Sequence, residues 1–246
     1  MIQSKRALIG LLALVFVINY LETTIETWLK GKYQLGARLA AGFTLAAQQF
    51  ERNYSFEGHD LTNIIAVYGY SIAYYFVFPL MCLSVAWALA ARSDIKPFRV
   101  LTFAVAIDYL ISLPFFLFFP VMERWTNAES GAMLLSDLVS SRLIEYVRPL
   151  SGLDNCFPSS HTSITVVVVL VCFLFQVRFR TPVLALGIAV IISTFVLGIH
   201  WLPDVIAGAA VGGLSVALAQ RLEGLSSKAN LTPAWQEPTA RRVLAA

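Results

Sequence analysis

Long unbroken apolar runs dominate this chain, and sustained polar–apolar alternation does not occur. Six runs stand out, over about residues 7–21, 64–91, 98–119, 160–177, 181–201 and 204–222. Each approaches the roughly 20 residues a helix needs to cross about 30 Å of hydrocarbon. The pattern therefore predicts an all-α, polytopic membrane protein with six transmembrane helices. The first run follows Lys5 and Arg6, as in a signal peptide, but Leu21-Glu22-Thr23-Thr24 makes a poor cleavage site, so this run is read as a retained helix. Two of the intervening stretches are long, 22–63 and 120–159. Within the first, residues 35–50 put Leu39, Phe43 and Phe50 on roughly one helical face, which predicts an amphipathic segment lying along the membrane interface.

Composition agrees with the pattern. Of 246 residues, 58% are hydrophobic and only 13% charged, against about 25% charged in a soluble domain. Most of the chain thus has no aqueous surface to cover. The net charge of +3 is too small to point to nucleic acid. Cys82 and Cys172 lie in apolar runs and read as core packing, while Cys156 sits in a polar loop and reads as structural. Three cysteines make no disulfide framework. With no CxxC or HExxH pattern, neither a metal nor another cofactor is expected.

Charge sets the orientation. Lys5, Arg6, Arg92, Lys96, Arg99, Arg178, Arg180, Arg221, Lys228, Arg241 and Arg242 fall on one side, with Asp94, Glu223 and Glu237. The other side carries seven basic and eleven acidic residues. The positive side should face the cytoplasm. Both termini are then inside and the two long stretches outside. Trp28, Trp125 and Trp201 fall near the outer interface, where an aromatic belt would place them. Residues 1–224 form one six-helix domain and 225–246 a polar cytoplasmic tail. The expected location is a membrane, the bacterial inner membrane, with the outer face periplasmic or otherwise extracytoplasmic.

Three polar clusters land on that outer side. The first is Arg142-x5-Arg148-Pro149 and the second Phe157-Pro158-Ser159-Ser160-His161-Thr162. The third is His200-Trp201-Leu202-Pro203-Asp204. Proline and serines begin a helix, and a helix start offers free backbone N–H groups and a positive dipole end to an anion. Ser159 and Ser160 add hydroxyl donors beside His161. Asp204, four residues after His200, can take the proton on one ring nitrogen and leave the other as a nucleophile. Arg142 and Arg148 can clamp phosphate oxygens, or simply pair with Glu145 and Asp137. Asp108, in the middle of the third run, is either functional or hydrogen-bonded between helices. His59 reads as a tolerated interfacial residue.

The Pro-Ser-x-His and His-x3-Asp motifs, preceded by Arg-Pro, resemble those of the type 2 phosphatidic acid phosphatase (PAP2) superfamily. The match covers roughly residues 142–213, and the six-helix plan extends it over most of the chain. The resemblance implies that His200, oriented by Asp204, attacks phosphorus to form a phosphohistidine, that His161 protonates the leaving group, and that Arg148, Ser159 and Ser160 bind phosphate. Three positions depart from the family pattern. Ser141 stands where the family has lysine, with Arg142 one step later; Ser160 replaces a glycine; and Thr194 replaces an arginine six residues before the nucleophile. The Ser193-Thr194 form and the Phe157-Pro158-Ser159-x-His161 form resemble the inositol phosphorylceramide synthase-like branch. The expected function is a lipid phosphate phosphatase acting on a lipid phosphate or diphosphate in the bilayer, with no nucleic acid partner. The alternatives are a lipid phosphotransferase that moves a phospho-headgroup to an alcohol, and a non-catalytic membrane protein that binds lipid phosphate.

Overall fold

The computed structural model describes residues 4–32, 34–51, 64–137 and 153–229. It is all-helical, with one isolated bridge between Val121 and Asn155 and no strand among the described residues. Helix α1 spans Lys5–Lys32 and α2 Gln34–Glu51. Helix α3 (Ile64–Ile72) runs through a π-helical turn, Ala73–Val77, into α4 (Phe78–Ala91). Then follow α5 (Lys96–Phe118), two 3-10 turns at Arg124–Thr126 and Ala128–Ser130, α6 (Ser160–Leu174), α7 (Arg180–Val196) and α8 (Leu202–Ala229).

Three helical stretches are long and apolar enough to cross a membrane: Ile65–Ala91, Lys96–Phe118 and Leu202–Leu225. The other expected spans differ in instructive ways. Helix α1 continues well past residue 21, where the sequence pattern ends its apolar run. Glu22, expected in an outer loop, is instead buried in α1, where the Tyr109 hydroxyl donates to it at 3.5 Å and the Asn19 amide at 3.4 Å. Helices α6 and α7 are apolar but hold only 15 and 17 residues. Residues 197–201 were expected to complete a span. They leave the helix at Gly198 (φ 76°), and Leu197, Ile199 and Trp201 are buried against protein.

Local signals set the helix boundaries. Pro97 stands in the first turn of α5, and Asp94 Oδ1 accepts the Lys96 N–H at 2.9 Å. Ser159 caps α6. Helices α5, α6 and α8 form the centre of the bundle, around a core that includes Phe98, Leu101, Val167, Val171 and Val216. At the end of the bundle remote from the histidines, Arg99 pairs with the buried Glu223 at 3.0 Å. Helix α8 comes very close to α6 through Gly208 and Gly212, where an added Cβ would lie 2.5 Å from Ser159 O and 2.4 Å from Ser163 O. Small residues permit this backbone approach between apolar helices, and it brings the His200 and His161 segments together.

Candidate active site

The start of α6 and the start of α8 meet at one end of the bundle. Ser159 Oγ accepts from Thr162 N at 3.4 Å and from the Thr162 hydroxyl at 3.1 Å, the role of an N-cap. The Ser159 N–H donates to the carbonyl of Asp204 at 3.1 Å, which ties the two helix starts directly. Ser159 is fully buried and Ser160 half-buried. At α8, Asp204 Oδ2 accepts the Trp201 N–H at 2.9 Å, while the Asp204 N–H donates to Trp201 O at 3.0 Å. This is the carboxylate half of a capping box, so Asp204 is fixed by its backbone before any ligand is considered.

His200 lies in the tight passage between α7 and α8. Its N–H donates to Thr194 O at 3.0 Å, and its Nδ1 faces Asp204 Oδ2 at 3.7 Å. That separation exceeds a normal N–H···O hydrogen bond of about 2.7–3.2 Å. The His161 ring centroid is 6.5 Å from that of His200. His161 is stacked on Tyr74 at 4.1 Å and tilted against Phe78 at 4.5 Å. Tyr74 belongs to the π-helical turn, a local distortion often found at functional sites. The expected trio of His161, His200 and Asp204 is therefore assembled in one place. Arg142 and Arg148 lie outside the described residues.

Thr194 supplies no substitute for the family's arginine: its side chain is buried, and its hydroxyl donates to Ile191 O at 2.8 Å. Asp108 is hydrogen-bonded between helices, accepting from the Ser163 hydroxyl at 2.9 Å. Trp201 is not an interfacial belt residue, for it is buried and its indole N–H donates to Met122 O at 3.0 Å. The Trp28 side chain lies outside the described residues.

Sequence reasoning missed the support behind His200. Helix α2 packs on the site through Ala40, Phe43, Ala47 and Glu51, while Leu39 and Phe50 of the expected apolar face are exposed. Phe43 meets Phe157 at 4.9 Å and Phe119 at 5.7 Å between ring centroids. Glu51 is buried, accepts the Leu202 N–H through Oε1, and pairs through Oε2 with Arg124 Nε at 2.9 Å. The Arg124 N–H donates to Ile199 O at 3.0 Å, and the Trp125 N–H to Gly198 O at 2.9 Å. The guanidinium also lies over the Phe195 ring at 4.9 Å. Burial raises the Glu51 carboxyl above its ordinary 4.5, outweighing the lowering by the Leu202 N–H and Arg124. Burial likewise lowers the Arg124 guanidinium, against the pull of Glu51. The only sequence signal was two charged residues in a chain that has few.

Paired histidines on capped helix starts, at one end of an apolar helical bundle, define a membrane protein with a site suited to an anionic ligand. The chain belongs to the PAP2 superfamily, whose family model matches residues 7–225. Membership places it among phosphatases and related phosphotransferases that act on lipid phosphates. No curated protein and no solved structure matches the chain.

Proposed function

We propose that the protein is a lipid phosphate phosphatase that works through a phosphohistidine on His200. The chief support is the convergence of His161, His200 and Asp204, with the two rings 6.5 Å apart and Asp204 behind the His200 Nδ1. Asp204 accepts the Nδ1 proton and stabilises the tautomer whose Nε2 lone pair attacks phosphorus. His161 gives a proton to the leaving lipid oxygen and then takes one from the attacking water. The α6 start, Ser159, Ser160, Arg148 and Arg142 hold the phosphate oxygens. In this reading α6 and α7 join the longer helices in a six-span bundle with both termini cytoplasmic and this site on the outer face, an orientation that the excess of Lys and Arg on the opposite side supports.

A second reading has a specific support. Thr194 leaves the phosphate one cation short of the family pattern, as in the inositol phosphorylceramide synthase-like branch. In that reading an alcohol, not water, discharges the phosphohistidine. A transferase must hold its acceptor at an effective molarity that beats water at roughly 55 M.

One assay tests both readings. Purified protein is given labelled lipid phosphates and phospholipids, with and without inositol, glycerol or ceramide. Release of phosphate in water alone is expected. His200→Ala should abolish it, and His161→Ala should lower it by about 10²–10⁴-fold. Phosphodiester formation that depends on an acceptor, without phosphate release, would establish the transferase instead. Full activity in His200→Ala would rule out the phosphohistidine.

A further inference from the structure

Cys156 comes from the loop before α6, yet it reaches the His200 pair. Its thiol donates to Ile199 O at 3.6 Å, one residue before the histidine. One ligand atom each from Cys156, His200 and Asp204 lie within 4.8 Å of one another, and all three residues are buried. His200 Nδ1 and Asp204 Oδ1 are buried and have no hydrogen-bond partner among the described residues. The Nδ1–Oδ2 separation of 3.7 Å is long for a hydrogen bond. It is close to the separation of about 3.5 Å between two ligand atoms on one tetrahedral ion with bonds of about 2.0–2.3 Å.

We propose that Cys156, His200 and Asp204 form an inhibitory site for a thiophilic divalent cation such as Zn²⁺. The donor set is one sulfur, one imidazole nitrogen and one carboxylate oxygen. It suits zinc or cadmium and not magnesium or calcium, which take oxygen ligands. Three protein ligands leave a fourth position for water. Binding forms bonds from the metal to sulfur, nitrogen and oxygen, and the thiol proton goes to solvent.

The inhibition follows from the imidazole ring and rests on His200 being the nucleophile. A neutral imidazole has one lone pair and one N–H. With the metal on Nδ1, the ring proton moves to Nε2, and no lone pair remains there to attack phosphorus. During turnover the arrangement is reversed, with the proton on Nδ1 facing Asp204. Metal occupancy and phosphohistidine formation thus exclude each other on the same ring.

The test uses the full-length protein in detergent carrying Cys82→Ser and Cys172→Ser, so that Cys156 is its sole thiol. Cadmium titration should produce the near-ultraviolet thiolate-to-metal band at one equivalent, and His200→Ala in this background should weaken binding. Zinc should inhibit lipid phosphate turnover, with EDTA restoring it. Cys156→Ser, compared with its own metal-free rate, should raise the zinc concentration for half-inhibition by about tenfold or more. No cadmium band in the sole-cysteine protein would overturn the metal site and leave the role of His200 untouched. A band without zinc inhibition would overturn the exclusion, and with it the assignment of His200 as nucleophile. Equal zinc sensitivity with and without Cys156 would place the inhibiting ion elsewhere.

Discussion

At the scale of single residues, the site depends on a backbone that only one residue type tolerates. Gly198 has φ of 76°, and an added Cβ would fall 2.5 Å from Met133 O. Its carbonyl accepts the Trp125 N–H, and two residues later the chain reaches His200. Gly198→Ala combines left-handed strain with a backbone clash, so it should destabilise the protein by about 1–3 kcal/mol. It should also lower turnover by displacing His200. Thermal unfolding in detergent, with phosphate release measured in parallel, checks this. An unchanged midpoint and rate would mean that the passage into α8 has slack the structure does not suggest. Asp204 is held differently, by its own capping contacts, and so is His161, by the rings of Tyr74 and Phe78.

At the scale of elements, α2 is the support of the His200 passage. Glu51 accepts the N–H of Leu202 at the start of α8 and pairs with Arg124, which in turn holds Ile199. Glu51→Ala leaves the Leu202 N–H without its acceptor and should cost about 1–3 kcal/mol. The pH dependence has a definite sign. The Glu51 carboxyl is raised in the fold, so the fold favours its acid form. Its contribution is fully present below the ordinary value of 4.5 and declines as pH rises through the raised value. Glu51→Gln mimics the acid form and keeps an acceptor for Leu202. Unfolding midpoints of Glu51→Gln should therefore lose the decline that the wild type shows as pH rises above 4.5. Parallel pH profiles for the two proteins would show that Glu51 does not titrate in this window.

At the scale of the whole molecule, orientation remains a matter of charge. The exposed Ser93 lies beside Arg92, between α4 and α5, on the side rich in Lys and Arg. The exposed Glu129 lies on the histidine side, beyond α5. In a cysteine-free background, Glu129→Cys should react with an impermeant maleimide in intact cells. Ser93→Cys should react only after permeabilisation. The reverse labelling would invert the proposed topology and put the phosphate chemistry on the cytoplasmic face.

The apolar runs alone determined that the chain is helical and suited to a membrane, because hydrocarbon demands backbone hydrogen bonds satisfied within each helix. The motif spacing likewise marked His161, His200 and Asp204, since capped helix starts and an i, i+4 carboxylate are local features. Tertiary structure decided what local pattern does not encode. An apolar residue reads the same whether it faces lipid or protein, so Leu197, Ile199 and Trp201 looked like membrane helix and proved to be the buried part of the His200 passage. Which residues of α2 meet protein was equally illegible: Ala40, Phe43 and Ala47 pack on the site, while Leu39 and Phe50 remain exposed. Glu51 and Arg124, distant in sequence, gained their role only when the bundle buried them together, because burial makes each charge depend on the other.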